Sequence, residues 1–308
     1  MKKNFINRLF IEGRLYQHNL TIKQVQNKDS ANFGKDFISG TIDIATDEEG
    51  LNVISIHYTY VTAVTNSGKQ NATFNVLNAI INGAKTWVVD GKDAALKLRA
   101  TPALALNDFY TNDDELVSAK RNEGGFVNTI SELVPENERN RFDLDLLITS
   151  VRSVEPEDGQ GHLVLKGAAF NFKGDLLPVE LICRHPDGMA YFESIDASPS
   201  NPIFTEVKGA ITNTTVKREI EEESAFGAAS VKTVTRTTRE YAVDWARPTE
   251  YTFGEEDTIT AEELKKAIQD REVYLAGIKK RRDDWAASQK NNESNSANAS
   301  IPVGGFSF

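Results

Sequence analysis

Two stretches of this sequence set aromatic rings beside cations, and a third adds cations alone. That combination can hold a single-stranded polynucleotide, because rings stack on any base while Lys and Arg follow the phosphates. In "SAKRNEGGFV", Lys120 and Arg121 lie a few residues from Phe126, and Gly124 and Gly125 allow close backbone approach. "AAFNFKG" puts Phe170 and Phe172 on one face of an expected strand, with Lys166 upstream and Lys173 at the following turn. "KTVTRTTRE" brings Lys232, Arg236 and Arg239 onto a polar strand. Lys23 belongs to a basic N-terminal segment, in which residues 1–40 hold seven Lys/Arg against three acids. For the phenylalanines the competing reading is burial, since a small barrel fills its interior with side chains. Tyr58 and Tyr60 share a face with Ile54 and Ile56 and are expected in the core, which leaves His57 and Thr59 on the opposite face. Trp87 suits either a groove wall or a barrel end.

Catalytic patterns are absent. There is no GxxxxGK[ST] loop, no HExxH, no GxSxG and no close His/Asp/Ser grouping, so an enzyme is not expected and no cofactor is implied. Asp143 and Asp145, two apart, could face a divalent cation, but solvent-facing alternation opposite Phe142, Leu144 and Leu146 explains them as well. One cysteine and four scattered histidines rule out an internal disulfide and a Cys/His zinc site, and fit a reducing cytoplasm. The N-terminus lacks the apolar core of a signal peptide, and no apolar run reaches membrane-spanning length. A net charge of −10 excludes coating of nucleic acid by bulk positive charge, so any such binding needs a local groove.

Strand signals dominate the first 250 residues. "FISGTIDIAT" and "NVISIHYTYV" flank the turn "DEEG" as a hairpin, and "ATFNVLNAIING" follows as an amphipathic helix stopped by Gly83. "TWVVDG", "ALKLRA" and "ALALNDFY" read as further strands. The second half repeats the order: a long strand in "RFDLDLLITSVRSV", a hairpin of "HLVLKGAAFNF" and "LLPVELICR", a brief helix in "GMAYFESI", then two closing strands. Gly40 and Gly167 occupy matching places, where a small barrel bends. This is the element order of the OB-fold. The expectation is a mainly β chain of two tandem OB-like barrels, 1–138 and 139–250, with "VPENERN" as linker. A C-terminal helix, 251–289, and a flexible tail, 290–308, complete it. The helix opens on a capping box, Thr260 with Glu263, and carries Leu264, Ile268, Leu275, Ile278 and Trp285 along a seam. Arg271 and Arg282 on that seam favour packing against the barrels or a partner over a coiled coil.

The segments "SGTIDIATDEEGLNVISIHYTYV", "ATFNVLNAIING", "LVSAKRNEGGFV", "LLPVEL", "EESAFG" and the closing "GGFSF" together resemble phage-encoded single-stranded DNA-binding proteins, over most of the chain. The resemblance implies an OB-type binder of single-stranded DNA acting in replication or recombination in the host cytoplasm. It also gives a meaning to the end of the chain, where a polar run closes on Phe306 and Phe308, because such proteins commonly end in a tip that replication or recombination proteins capture. The tips of that group are acidic, whereas residues 291–308 carry only Glu293 as a charge. Two other function classes fit the same elements: a virion structural or assembly protein with paired β-domains and a terminal arm, and an oligosaccharide-binding module.

Overall fold

The computed structural model describes residues 5–30, 32–65, 67–155, 161–222, 230–252 and 258–297, without the side chains of 214–222, 230–238 and 289–297. The chain is mainly β. In its first half, strands β1 (Asn7–His18), β3 (Asp36–Ala45) and β4 (Val53–Thr62) form an antiparallel meander, with a short β2 (Thr21–Gln24) added along the start of β3. Helix α1 (Ala72–Ile81) and the single turn α2 (Trp87–Asp90) lead to β5 (Lys97–Tyr110) and β6 (Leu116–Thr129). β5 returns antiparallel to β1, and β6 closes the ring by pairing parallel to β4. A meander, a helix, and a last strand parallel to the third is the Greek-key closure of an OB barrel.

Among the described residues, the second half repeats these pairings, except that of β2. β7 (Asn140–Val154), β8 (His162–Phe170) and β9 (Leu176–Cys183) form the meander, and α3 (Pro186–Ser194) follows. β10 (Ile203–Glu222) pairs antiparallel with β7, and β11 (Ser230–Ala246) pairs parallel with β9. The two rings join where β1 lies antiparallel to β7, making one continuous sheet, and one hydrophobic core runs through both. Asn7 adds a polar tie, donating to the carbonyls of Leu104 and Phe170 at 3.0 Å each.

Local chemistry sets the details. Gly40 has φ +133°, and a Cβ there would sit 2.7 Å from the Asn19 carbonyl oxygen; only glycine lets β3 bend so closely under the chain leaving β1. At Gly167 a Cβ would meet the Leu147 carbonyl oxygen at 1.8 Å. "TWVVD" is a helical turn and not a strand, because the Asp90 carboxylate accepts from Thr86 N–H and the Asp90 N–H bonds back to the Thr86 carbonyl, each at 2.8 Å. "ALKLRA" and "ALALNDFY" fuse into the one long strand β5. Asp145 does not face solvent: it is fully buried and accepts from Ile6 N–H at 2.7 Å, while Asp143 meets Arg8 and Lys208.

The segment between the halves is pinned. Arg139 bonds the Val134 carbonyl and Glu48 at 2.7 Å each, and the buried Glu12 accepts from Arg99 at 2.6 Å and from Val134 N–H. Helix α4 (Ala261–Ala297) opens on the expected capping box, with Thr260 N–H to Glu263 and Glu263 N–H to Thr260 Oγ1. Its first turns pack Leu264 onto a satellite core of Leu147, Phe170, Phe204 and Ile259. It continues past Gln289 to Ala297, since adding residues to a formed helix costs far less than nucleating one. None of the described helices is long and apolar enough to cross a membrane.

Candidate nucleic-acid interface

The outer face of the second and third barrel strands is where OB folds take extended ligands, and in the first barrel these are β3 and β4. Their pairing runs from Ile38↔Val61 to Gly40↔Tyr58, so two steps along β3 oppose three along β4. The extra residue is a bulge at Thr59 and Tyr60, and a bulge shifts which face the next side chain takes. Tyr58 stays in the core and Val61 packs on it, whereas Tyr60 turns outward, 47% exposed, with its ring centroid 4.7 Å from that of Phe37. A ring pair, Tyr60 exposed and Phe37 half-buried, thus stands at one end of the face.

Beside it opens a cleft of about 640 Å³. Phe37, Ser39, Thr41, His57 and Thr59 form its floor, Thr21 and Lys23 of β2 one wall, and Arg121 of β6 the other. Among the described residues no acid belongs to this lining, in a protein of net charge −10. Ser39 is buried, and its Oγ has no hydrogen-bond partner among the described residues. His57 Nδ1 lies 3.2 Å from Thr41 Oγ1; burial, and next the charge of Arg121, pull the imidazole pKa below its usual value. Arg121 is oriented by Glu123, which takes its Nε and Nη2 at 3.1 and 2.7 Å.

Arg121 also borders two further spaces. One is a niche of about 60 Å³ where the base of the β10–β11 ribbon meets the first barrel, lined by Lys120, Arg239 and Tyr241 among others. Asn213 anchors the ribbon there by bonding Asn52 and the Val53 carbonyl. Lys120 donates to the Glu180 carbonyl at 2.6 Å and lies 5.3 Å from the Tyr241 ring; burial lowers its pKa. The other space, about 540 Å³ under α4, is lined by five acids (Asp108, Glu123, Asp175, Glu263, Asp270) against four cations (Arg121, Lys173, Lys266, Arg271). That balance does not favour a polyanion.

The model of the YorF family matches residues 6–281. The chain belongs to the YorF family. No curated protein matches it. Among solved structures it is similar to a deletion mutant of the single-stranded DNA-binding protein from Thermus aquaticus, at 11% identity and a TM-score of 0.46, over 82% of this chain and 98% of that one. The OB assignment of this YorF-family chain rests on its own strand pairings, not on that distant likeness.

Of the site residues expected from the sequence, the fold brings Lys23, His57 and Arg121 into the cleft, with Lys120 and Arg239 adjoining it. Others fall elsewhere. Phe172 projects from the β8–β9 turn, 84% exposed, with Lys173 5.6 Å from its ring; it does not share a strand face with Phe170, which is fully buried. Lys166 lies opposite Glu180 on the outer face of the second barrel, and Phe126 stands exposed opposite Thr101. Trp87 packs 6.1 Å from Tyr16 against the tip of the β3–β4 hairpin at Gly50. Lys232 and Arg236 are on β11, but their side chains lie outside the described residues, as do Phe306 and Phe308. Sequence reasoning missed Phe37, Ser39 and Tyr60. Phe37, next to the basic segment of Lys23, was within reach of a ring-and-cation search; Tyr60 was hidden by the bulge.

Proposed function

We propose that this chain is a non-enzymatic, sequence-tolerant binder of single-stranded DNA that uses the first-barrel cleft. The observation that carries the reading is a lining without acids among the described residues: Lys23 and Arg121 stand on opposite sides of a polar floor, with the Phe37–Tyr60 pair at its edge. Cations on both walls track a phosphate backbone, and the exposed Tyr60 ring, backed by Phe37, stacks bases without regard to identity. In this reading the activity serves phage DNA replication or recombination, and Phe306 and Phe308 form a tip for protein partners; the resemblance to phage-encoded single-stranded DNA-binding proteins supports both. Fluorescence anisotropy with labelled oligo(dT) over a salt series tests the reading. Binding should weaken as salt rises, and Tyr60→Ala should cost about 1–3 kcal/mol, the worth of one stacked base. Absence of binding at low salt and micromolar protein would refute it.

A further inference from the structure

The two ends of β3 carry surfaces of opposite character. At its start, the β1–β3 connection and the turn after β4 expose Ile22, Phe33 and Val64, each about half accessible. Residues 19–36 and 62–70 around them hold four lysines (23, 28, 35, 69) against two aspartates (29, 36). At its far end, the hairpin tip and α2 expose Leu51, Val88 and Val89, at 49, 56 and 83%. Here 46–51, 85–93 and 135–139 hold seven acids against three cations, Lys85, Lys92 and Arg139. These pieces form one surface: Trp87 lies against Gly50, Lys92 bridges to Glu48, and Glu48 N–H donates to Glu136.

Ten residues of strand separate the two surfaces by about 30 Å, so one molecule cannot bring its own pair together. A second copy can. We infer that copies of this chain associate head to tail, the lysine-bordered apolar start of β3 in one molecule seating on the acid-bordered apolar end in the next. Such an interface is heterologous, so it does not close after two copies and extends into a row wherever its rotation does not close a ring. The cleft lies between the two ends on the same strand, and a row therefore sets successive clefts side by side. Given the proposed DNA binding, on which this consequence rests, a shared strand raises the effective concentration of neighbours, and a contact that forms in free solution only in concentrated protein becomes cooperative binding.

Phe33→Glu spoils the first surface and Val89→Glu the second; both residues are exposed, and neither lines the cleft. Affinity per site is compared between an oligo(dT) of about 15 nucleotides, room for one copy, and poly(dT), with mass photometry counting the copies bound. The wild type should favour poly(dT) by about tenfold or more, each variant should lose that preference while keeping its affinity for the short strand, and an equimolar mixture should form pairs without longer rows. Equal wild-type affinity for the two lengths, or variants that cluster like the wild type, would overturn the inference. Failure of the wild type to bind even the short strand would refute the DNA reading alone. Sedimentation of concentrated protein without DNA then decides the contact: self-association abolished by either variant and limited to dimers in their mixture supports it, and a monomer throughout overturns it.

Discussion

Arg121 faces the cleft with Glu123 forked onto its guanidinium, so the acid that aims the cation also offsets its charge. Glu123→Gln should keep one oriented contact while removing that offset, and should therefore tighten oligo(dT) binding and steepen its salt dependence, by up to about one unit of slope. Weaker binding in this variant would mean that orientation matters more than charge. His57 adds a pH dependence with two opposed parts. Its folded pKa is held below the usual value of about 6.5 by burial first and by the charge of Arg121 next, against opposing effects of Glu123 and Asp43, with Arg239 adding the weakest pull downward. On acidification the unfolded chain takes the proton first, so the contribution of His57 to stability is complete above about pH 6.5 and is lost as the pH falls through the folded pKa. Phosphates placed in the cleft favour the imidazolium, so DNA binding should take up a proton and tighten over the same interval. Thermal melts and anisotropy titrations from about pH 8 to pH 5 should show both trends in the wild type; His57→Gln should lose the binding trend and keep only the part of the stability trend that His18, whose pKa burial also lowers, supplies. Half of this site was readable in advance: Lys23, His57 and Arg121 declare themselves by residue type and strand alternation. Tyr60 did not, because alternation assumes an unbroken pleat and the bulge breaks it within two residues.

Elements were legible wherever a period was sustained, as in the hairpins, α1 and the start of α4, and both barrels could be read from the repeated order of strands and helices. Short apolar runs were not, since "TWVV" has the composition of a strand and only the Thr86–Asp90 bonds make it a turn of helix. The arginines on the α4 seam show how such a helix is held. Arg271 makes two bonds to Asp108 at 2.6 and 2.7 Å, with the aspartate side chain 2% exposed. Farther along, Lys279 and Arg282 reach Asp114 in the β5–β6 turn, and Arg282 also donates to the Thr111 carbonyl. The outer pairs are solvent-exposed and contribute little. The buried pair is different: Arg271→Ala leaves Asp108 charged without its partner, and should destabilise the protein by about 3–5 kcal/mol in urea unfolding. Asp108→Asn combined with Arg271→Met removes both charges and should recover most of that loss. Equal destabilisation by the single and double changes would show that the helix is held by its apolar contacts at Leu264 instead.

At the scale of the molecule, two complete barrels share a ladder and a core, and the question is whether they unfold as one. Separate domains usually meet through polar surfaces that allow independent motion. Here β1 hydrogen-bonds to β5 of its own barrel and to β7 of the other, Asn7 bonds backbone on both sides, and Leu9 and Ile11 of β1 share one buried cluster with Leu144 of β7 and Leu163 and Leu165 of β8. Opening the second barrel would strip β1 of a neighbour and expose core belonging to the first, so partial unfolding loses contacts on both sides of the seam. Trp87 beside the first barrel and Trp245 on β11 of the second provide separate reporters. With Trp285 changed to Phe and one of the other two changed likewise, each remaining tryptophan should give the same urea midpoint and slope, the mark of a single cooperative transition. A lower midpoint at Trp245 than at Trp87 would mean that the shared ladder is too weak to couple the barrels, and that the first barrel can hold its cleft without the second.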